Sequence, residues 1–305
     1  MQLARILELF ELPLVQLAAA ADMIRSKHTG NRFETCTICN AKCGNCSEDC
    51  KFCVQSARYD TGVETYPLIP VAGMVQAADA AAAAGADRFG IVTSGKGLND
   101  KDVDDIIEAI SSIAEQGKIT PCASLGILSR DQFKRLKDAG LNRFHHNIET
   151  ASSYFPQVTS THTFEDRLRT IDLAREAGLS ICCGGIIGMG ESREDRARMA
   201  MELAKIAPDS IPVNILMPIP GTPLENCDKI SVGEAIRTIA VFRIVNPKAT
   251  IRLAAGRESF LRDFIGMAFM AGANAMMVGG YLTQRGRAVE DDMALVREVL
   301  AAWNA

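Results

Sequence analysis

The stretch VAGMVQAADAAAAAGADRFGIVT, residues 71–93, sets the pattern for the whole chain. It opens with a helix-forming run, Val71–Ala84, halts at Ala84-Gly85 and continues as the short apolar segment Ala86–Thr93. A glycine just past the last helical residue can take the left-handed conformation that ends a helix, and an apolar run of this length after it reads as a buried strand. The same punctuation recurs at Ala139-Gly140, Ala177-Gly178 and Ala271-Gly272. Strands are expected at Thr35–Ala41, Ala86–Thr93, Ile119–Leu125, Leu141–Glu149, Leu179–Ile187, Ser210–Met217, Thr250–Ala254 and Ala273–Val278. Helices are expected at Val71–Ala84, Asp102–Gln116, Arg130–Ala139, Phe164–Ala177, Arg193–Ile206, Val232–Val245, Arg257–Met270 and Asp291–Ala301. Eight alternating pairs predict an α/β fold, a (βα)8 TIM-type barrel, although an open doubly wound sheet shows the same alternation. Residues 1–34, amphipathic and broken at Pro13, read as a short N-terminal helical extension packed on a barrel of residues 35–305.

Composition narrows the function. The 305 residues are 48% hydrophobic and 23% charged, as in a soluble globular protein, and 33 basic residues are scattered among 37 acidic ones for a net charge of −4. That balance argues against a nucleic-acid surface and for a small-molecule substrate. No apolar stretch reaches the ~20 residues that cross a bilayer, so no membrane association is expected. Ten cysteines without an export signal point to reduced thiols in the cytoplasm, and six of them between positions 36 and 53 suit metal better than disulfides.

Within that run, Cys46-Ser47-Glu48-Asp49-Cys50-Lys51-Phe52-Cys53 places three thiols where one short loop can wrap three corners of an iron-sulfur cube, leaving one iron open to a small molecule. A zinc knuckle is the alternative, but knuckles usually carry cysteine pairs with a fourth ligand nearby. In a barrel the reactive groups gather at the C-terminal ends of the strands, and this loop follows the first strand. A barrel layer draws side chains from alternate strands, so Cys36, Cys122, Cys182 and Arg252, on the first, third, fifth and seventh predicted strands, could converge inside. Asn147 and Asn214 offer neutral amides that suit a buried polar substrate such as a cyclic urea, or else cap strand ends. Extended at ~3.3 Å per residue, Cys36, Cys39 and Cys43 would span about 23 Å, with Cys36 facing away from the other two, so they cannot all serve one site. Cys39 and Cys43 could form a second site. Cys183 and Cys227 are assigned to structure, and His145-His146 to packing or hydrogen bonding unless one is a ligand.

Together with Gln55-Ser56-Ala57-Arg58-Tyr59, the glycine-rich run Gly184-Gly185-Ile186-Ile187-Gly188-Met189-Gly190-Glu191 and the run Arg252-Leu253-Ala254-Ala255-Gly256-Arg257-Glu258, the triad makes the chain resemble the biotin synthase family of radical S-adenosylmethionine (SAM) enzymes over nearly its whole length. The resemblance implies a [4Fe–4S] cluster on Cys46, Cys50 and Cys53 that binds SAM and cleaves it to a 5′-deoxyadenosyl radical. It implies hydrogen abstraction from dethiobiotin and an auxiliary iron-sulfur cluster as sulfur donor. Carried over by residue, Phe52 and Tyr59 fall near the adenine, Gly184, Gly185 and Ile186 on the nucleoside strand, Asn147 and Glu149 near the ribose, and Arg167 at the SAM carboxylate. Asn147 and Asn214 match contacts to the ureido ring and count with the triad as residues carrying the reaction, and Thr283-Gln284-Arg285 falls where the family holds the substrate carboxylate.

Cys122, Cys182 and Arg252 match auxiliary-cluster ligands. Two departures stand out: a further cysteine ligand of the family is Gly90 here, and a serine close to that cluster is Cys36. The resemblance therefore implies a moved ligand, with Cys36 serving and Cys39 as the alternate, and an auxiliary cluster that is either [2Fe–2S] or a larger [4Fe–5S] type. It further implies a flavodoxin or ferredoxin electron donor and a homodimer. Another radical SAM enzyme of similar build, such as a methylornithine synthase or a hydrogenase-maturation protein, and a non-enzymatic iron-sulfur carrier are the competing assignments.

Overall fold

A computed structural model describes residues 1–283 and 286–304. Its strands are β1 (Glu34–Lys42), β2 (Arg88–Thr93), β3 (Thr120–Ser124), β4 (Arg143–His145), β5 (Ser180–Cys182), β6 (Gly185–Ile187), β7 (Ser210–Ile215), β8 (Thr250–Leu253) and β9 (Ala275–Met277). All pair in parallel in the order β5-β4-β3-β2-β1-β9-β8-β7-β6, and Cys182 of β5 also pairs with Ser210 of β7. That last pairing closes the sheet into a barrel in which β5 and β6 share one of eight positions, so the open-sheet alternative is set aside.

Between β1 and β9 run α3 (Val71–Ala83), α4 (Asp100–Gln116), α5 (Arg130–Asp138), α6 (Phe164–Glu176), α7 (Arg193–Ile206), α8 (Val232–Val245) and α9 (Ile265–Met270). Their starts are capped: Ser129, Thr163 and Ser192 each form a capping box with the residue three positions on. The four glycines expected to stop helices do so, with φ of +83° at Gly85, +101° at Gly140, +80° at Gly178 and +96° at Gly272. The main apolar core lies between the barrel and this helical layer and includes Phe89, Ile91, Phe133, Phe144, Ile239 and Phe269. Before the barrel, α1 (Leu3–Glu11) packs on α7 and α8, and α2 (Leu14–Thr29) on α8 and α9. The guanidinium of Arg25 in α2 stacks 3.7 Å over Trp303 of α10 (Val289–Asn304), bringing the two ends of the chain together.

Two elements differ from expectation. The fifth strand is interrupted at Cys183-Gly184, because the backbone of neighbouring segments crowds it: a Cβ on Gly184 would sit 2.0 Å from the Pro212 carbonyl oxygen, and one on Gly185 2.3 Å from that of Glu149. The helix expected over Arg257–Met270 is a π-helical turn, Arg257–Leu261, then a 3-10 turn, Arg262–Phe264, and only then α9. Arg257 explains the start. Its buried guanidinium donates to both carboxylate oxygens of Asp292 in α10, at 3.1 and 2.6 Å, and Asp292 also accepts from Gly279 N–H at 3.0 Å.

Candidate active site

The residues of the barrel interior fall into layers that follow from strand register. Cys36 lies level with Arg88, Cys122 with Arg143, Cys182 with His145 and Arg252 with Pro212. Inward side chains two residues apart therefore climb the barrel: Glu34 then Cys36 on β1, Arg88 then Gly90 on β2, and Arg143, His145 and Asn147 along β4. A cavity of about 370 Å³ runs through these layers, and Cys36, Cys122, Cys182 and Arg252 line its lower part while Cys46, Cys50 and Cys53 line its mouth. All seven candidate ligands thus share one cavity. Cys39 does not reach it and packs against the outer apolar layer instead, and Cys43 borders a neighbouring cavity with Asn40 and Tyr66.

At the floor, Glu34 accepts from Arg88 Nε at 2.6 Å, from Arg143 Nη1 at 2.7 Å and from Arg252 Nη2. Burial works to raise its pKa, yet the guanidiniums of Arg252, Arg143 and Arg88 outweigh that and hold it at about 2. Three cations against one anion leave a positive surplus of two beneath the thiols. Burial raises the thiol pKa values of Cys36, Cys122 and Cys182, the last to about 11, while Arg252 opposes the rise in each case. Arg252 Nη1 is buried with no hydrogen-bond partner among the described residues. Unpaired cationic N–H and three thiols around one space fit an anionic thiolate-ligated cluster, which would supply the missing acceptors. Gly90 lines the cavity without a side chain to offer, and Ile38 Cγ2 lies 3.2 Å from where its Cβ would be, so a larger residue there would press on β1.

At the mouth, the Cys46–Cys53 loop is pinned by its own backbone and by residues 158–161. Cys46 N–H donates to Gln55 O at 3.0 Å, Cys53 N–H to Cys50 O at 2.9 Å and Lys51 N–H to Val158 O at 3.0 Å. The Asp49 carboxylate accepts from Thr159 Oγ1 (2.7 Å), Ser160 N (2.9 Å), Ser160 Oγ (2.5 Å), Thr161 N (3.2 Å) and Thr161 Oγ1 (3.0 Å). These bonds overcome burial and hold its pKa well below the carboxylate range. Burial pushes the Cys50 thiol up to about 12 and that of Cys53 to about 11, so these thiols stay protonated unless a metal takes the thiolates. Among the described residues no three His, Cys, Asp or Glu side chains gather tightly enough to hold a single ion.

Arg167 connects this loop to β4. Its Nη1 donates to Asn147 O at 2.9 Å and lies 3.4 Å from Glu149, and its Nε donates to His162 Nε2 at 3.1 Å. The other ring nitrogen of His162, Nδ1, is 2.6 Å from Glu48 in the cysteine loop. Glu149 itself has φ of +65°, and burial raises its pKa against the pull of Arg167 and Asn147.

Asn147 and Asn214 do cap strand ends. Asn147 Oδ1 accepts from Gly184 N at 3.0 Å and its Nδ2 donates to Glu149 at 3.3 Å; Asn214 Oδ1 accepts from Ala255 N and its Nδ2 donates to Gly185 O, both at 3.1 Å. Both also line the cavity, and an amide with two N–H groups and two lone pairs keeps one of each in reserve. Phe52 and Ile186 line the mouth too and pack with Val158, Met189 and Leu216. Tyr59 braces the loop, its hydroxyl donating to Asp49 O, and is absent from the cavity wall. His145, Nδ1 3.1 Å from Ser124 Oγ, faces the cavity, and burial lowers its pKa to about 4; His146 is buried against Phe144. Cys183 is in the core, and Cys227 donates to Gly188 O. Thr283 edges the neighbouring cavity, whereas Gln284 and Arg285 lie outside the described residues.

Residues 40–204 match the model of the radical SAM superfamily and residues 212–299 that of the biotin and thiamin synthesis associated domain. The chain is 47% identical to the biotin synthase of Oleidesulfovibrio alaskensis over 96% of its own length and 91% of that protein's. It is 50% identical to the biotin synthase of Thermotoga neapolitana, covering 90% of this chain and 99% of that one. The chain belongs to the biotin synthase family. Among solved structures, a methylornithine synthase matches with a TM-score of 0.84 at 19% identity, covering 99% of this chain and 96% of that one. The FeFe-hydrogenase maturase HydG of Carboxydothermus hydrogenoformans matches at 0.82 and 20%, over 98% of this chain and 74% of that one. Those likenesses are of fold alone, a radical SAM barrel, and neither competing enzyme shares the sequence identity that the biotin synthases do. Membership implies a [4Fe–4S] cluster with SAM and an auxiliary cluster. No helix among the described residues is long and apolar enough to cross a membrane.

Sequence reasoning passed over Glu34, Arg88, Arg143, Glu48, Asp49 and the Thr159–His162 segment. The first three carried a usable signal, since each lies two residues from an inward position already singled out or on the same strand face.

Proposed function

We propose that this chain inserts sulfur into dethiobiotin to form biotin, with Cys46, Cys50 and Cys53 holding the radical [4Fe–4S] cluster and Cys36, Cys122, Cys182 and Arg252 an auxiliary cluster, either [2Fe–2S] or the larger [4Fe–5S] type. The observation that carries the auxiliary assignment is the ring of three thiols and an unpaired Arg252 N–H above a cationic floor. When bound, the two groups supply, respectively, the adenosyl radical from SAM and the sulfur that the product gains.

The chain's own residues bind, orient and exclude water. Phe52 and Ile186 offer the adenine an apolar wall, and Gly184 and Gly185, packed against the Pro212 and Glu149 carbonyls, form the strand break that presents Ile186. Arg167, fixed on three sides, presents its guanidinium to the SAM carboxylate, and Glu149 and Asn147 meet the ribose. The reserve donors and acceptors of Asn147 and Asn214 hold the ureido ring, placing the reacting carbons between mouth and floor. The substrate carboxylate goes to the run Thr283-Gln284-Arg285. Holding the partners in line matters because a displacement of about 1 Å can cost ~100-fold in rate. Residues 35–305 act as one barrel domain with residues 1–34 as its extension, a flavodoxin or ferredoxin supplies electrons, and the working unit is a cytoplasmic homodimer.

The test is anaerobic iron and sulfide analysis with Mössbauer spectroscopy on reconstituted protein, followed by a single turnover with dethiobiotin. Two distinct clusters, biotin formed and auxiliary sulfide lost are expected. One [4Fe–4S] cluster without biotin refutes the proposal.

A further inference from the structure

The barrel end opposite the cysteine loop carries charge where such barrels usually bury apolar side chains. Glu34 pairs with Arg88, Arg143 and Arg252 at once, so cations outnumber carboxylates beside Cys36, Cys122 and Cys182. This floor is not sealed. The side chains of Arg88 and Glu34 are 17% and 18% exposed. Arg88 Nη1 faces two ways: it donates to Asn142 Oδ1 at 2.8 Å, on an exposed residue just before β4, and lies 3.8 Å from Cys122 Sγ inside the barrel. One nitrogen thus touches both the outer surface and an auxiliary thiol. Outside it, Asn142, Thr120 and Pro121 border a surface depression of about 450 Å³.

We infer that this floor is a port for hydrosulfide, which restores from below the sulfur given up to product, binding as sulfide with no change in sulfur's oxidation state while its proton leaves to water, along a route separate from the mouth that SAM and dethiobiotin occupy. The inference rests on the auxiliary-cluster assignment proposed above. Displacing one side chain, Arg88, would admit a small ion only, and the guanidiniums of Arg88 and Arg143 at that point favour an anion over a neutral molecule. Arg88 is the latch: breaking its bond to Asn142 opens the way, and the same guanidinium then accompanies the anion to Cys122. Separate entry has a clear use, since sulfur can be replaced while the mouth is filled.

The test uses protein loaded with both clusters, checked by iron and sulfide analysis, and then depleted of auxiliary sulfide by a single turnover. Labelled sodium sulfide is added anaerobically with reductant withheld, and protein-bound acid-labile label is followed in time, with and without saturating SAM and dethiobiotin. Filling the mouth is expected to leave the uptake rate within about twofold, whereas Asn142→Trp, which caps Arg88 from outside, slows it about tenfold or more. Asn142→Ala, which frees the latch without adding bulk, is expected to speed uptake and serves if the tryptophan variant does not fold. Uptake blocked by the mouth ligands, or indifferent to both Asn142 variants, overturns the port while leaving the sulfur-insertion assignment intact. Protein that reconstitutes one cluster only overturns both.

Discussion

His162→Ala tests whether the link from the cysteine loop to Arg167 tunes SAM binding. The ring joins Glu48 Oε2 at 2.6 Å to Arg167 Nε at 3.1 Å, and the alanine removes both bonds. A hydrogen bond to a charged group contributes about 1.5–3 kcal/mol, and a loss of that size on the Arg167 side weakens SAM binding roughly 10- to 100-fold. The loop itself should keep its iron, because the bonds to Asp49 from Thr159, Ser160 and Thr161 remain. Titration calorimetry of SAM into anaerobic reconstituted protein, beside iron analysis, gives both quantities. The pH profile adds a second arm. Since Nε2 accepts from Arg167, the ring is neutral with its proton on Nδ1 toward Glu48. Burial first, and then Arg167, lower its pKa below the usual 6.5, with Glu48 opposing. A lowered folded pKa means that the arrangement is fully present above 6.5 and is lost as pH falls through the folded value, when imidazolium would face guanidinium. Affinity for SAM should therefore fall on acidification in the wild type and lose that component in the alanine variant. An affinity within twofold of wild type at neutral pH, with the iron content intact, would refute the reasoning.

Other substitutions probe the rest of the site and frame. Cys36→Ala should remove auxiliary-cluster iron and leave the radical cluster's Mössbauer signature unchanged; a wild-type spectrum with full biotin formation would sink the moved-ligand assignment. Cys50→Ala should abolish 5′-deoxyadenosine release, measured by chromatography. Gly184→Ala puts a methyl 2.0 Å from the Pro212 carbonyl and should cost about 3 kcal/mol in urea unfolding. Asp292→Asn leaves the buried Arg257 guanidinium with Glu258, at 2.8 Å, as its remaining counter-charge, with an expected loss of about 1.5–3 kcal/mol by the same assay.

Much of the barrel was legible because its punctuation is local. Gly85, Gly140, Gly178 and Gly272 all take the left-handed conformation their positions suggest, and the strands follow each stop. The interruption of the fifth strand was not, since it arises from the backbone of Pro212 and Glu149 pressing on Gly184 and Gly185, contacts that no local pattern contains. The broken helix after β8 has a similar cause in the distant Asp292. In the site, alternation along strands correctly gathered Cys36, Cys122, Cys182 and Arg252. The same alternation applied to Glu34, Arg88 and Arg143 would have found the floor, but isolated charges in a strand pass easily for solvent-facing positions. The clamp on Asp49 joins segments 110 to 112 residues apart and left no trace in spacing.

The Glu34 carboxylate also bears on how the protein is made. Its partners lie 54, 109 and 218 residues further along the chain, and β1 finds its second neighbour only when Ala275–Met277 arrives. On the proposed assignment, a nascent chain shorter than 252 residues lacks one of the four auxiliary-cluster ligands, and one without β9 lacks the strand that joins β1 to β8. Loading of that cluster is therefore expected to wait until β8 and β9 have been made.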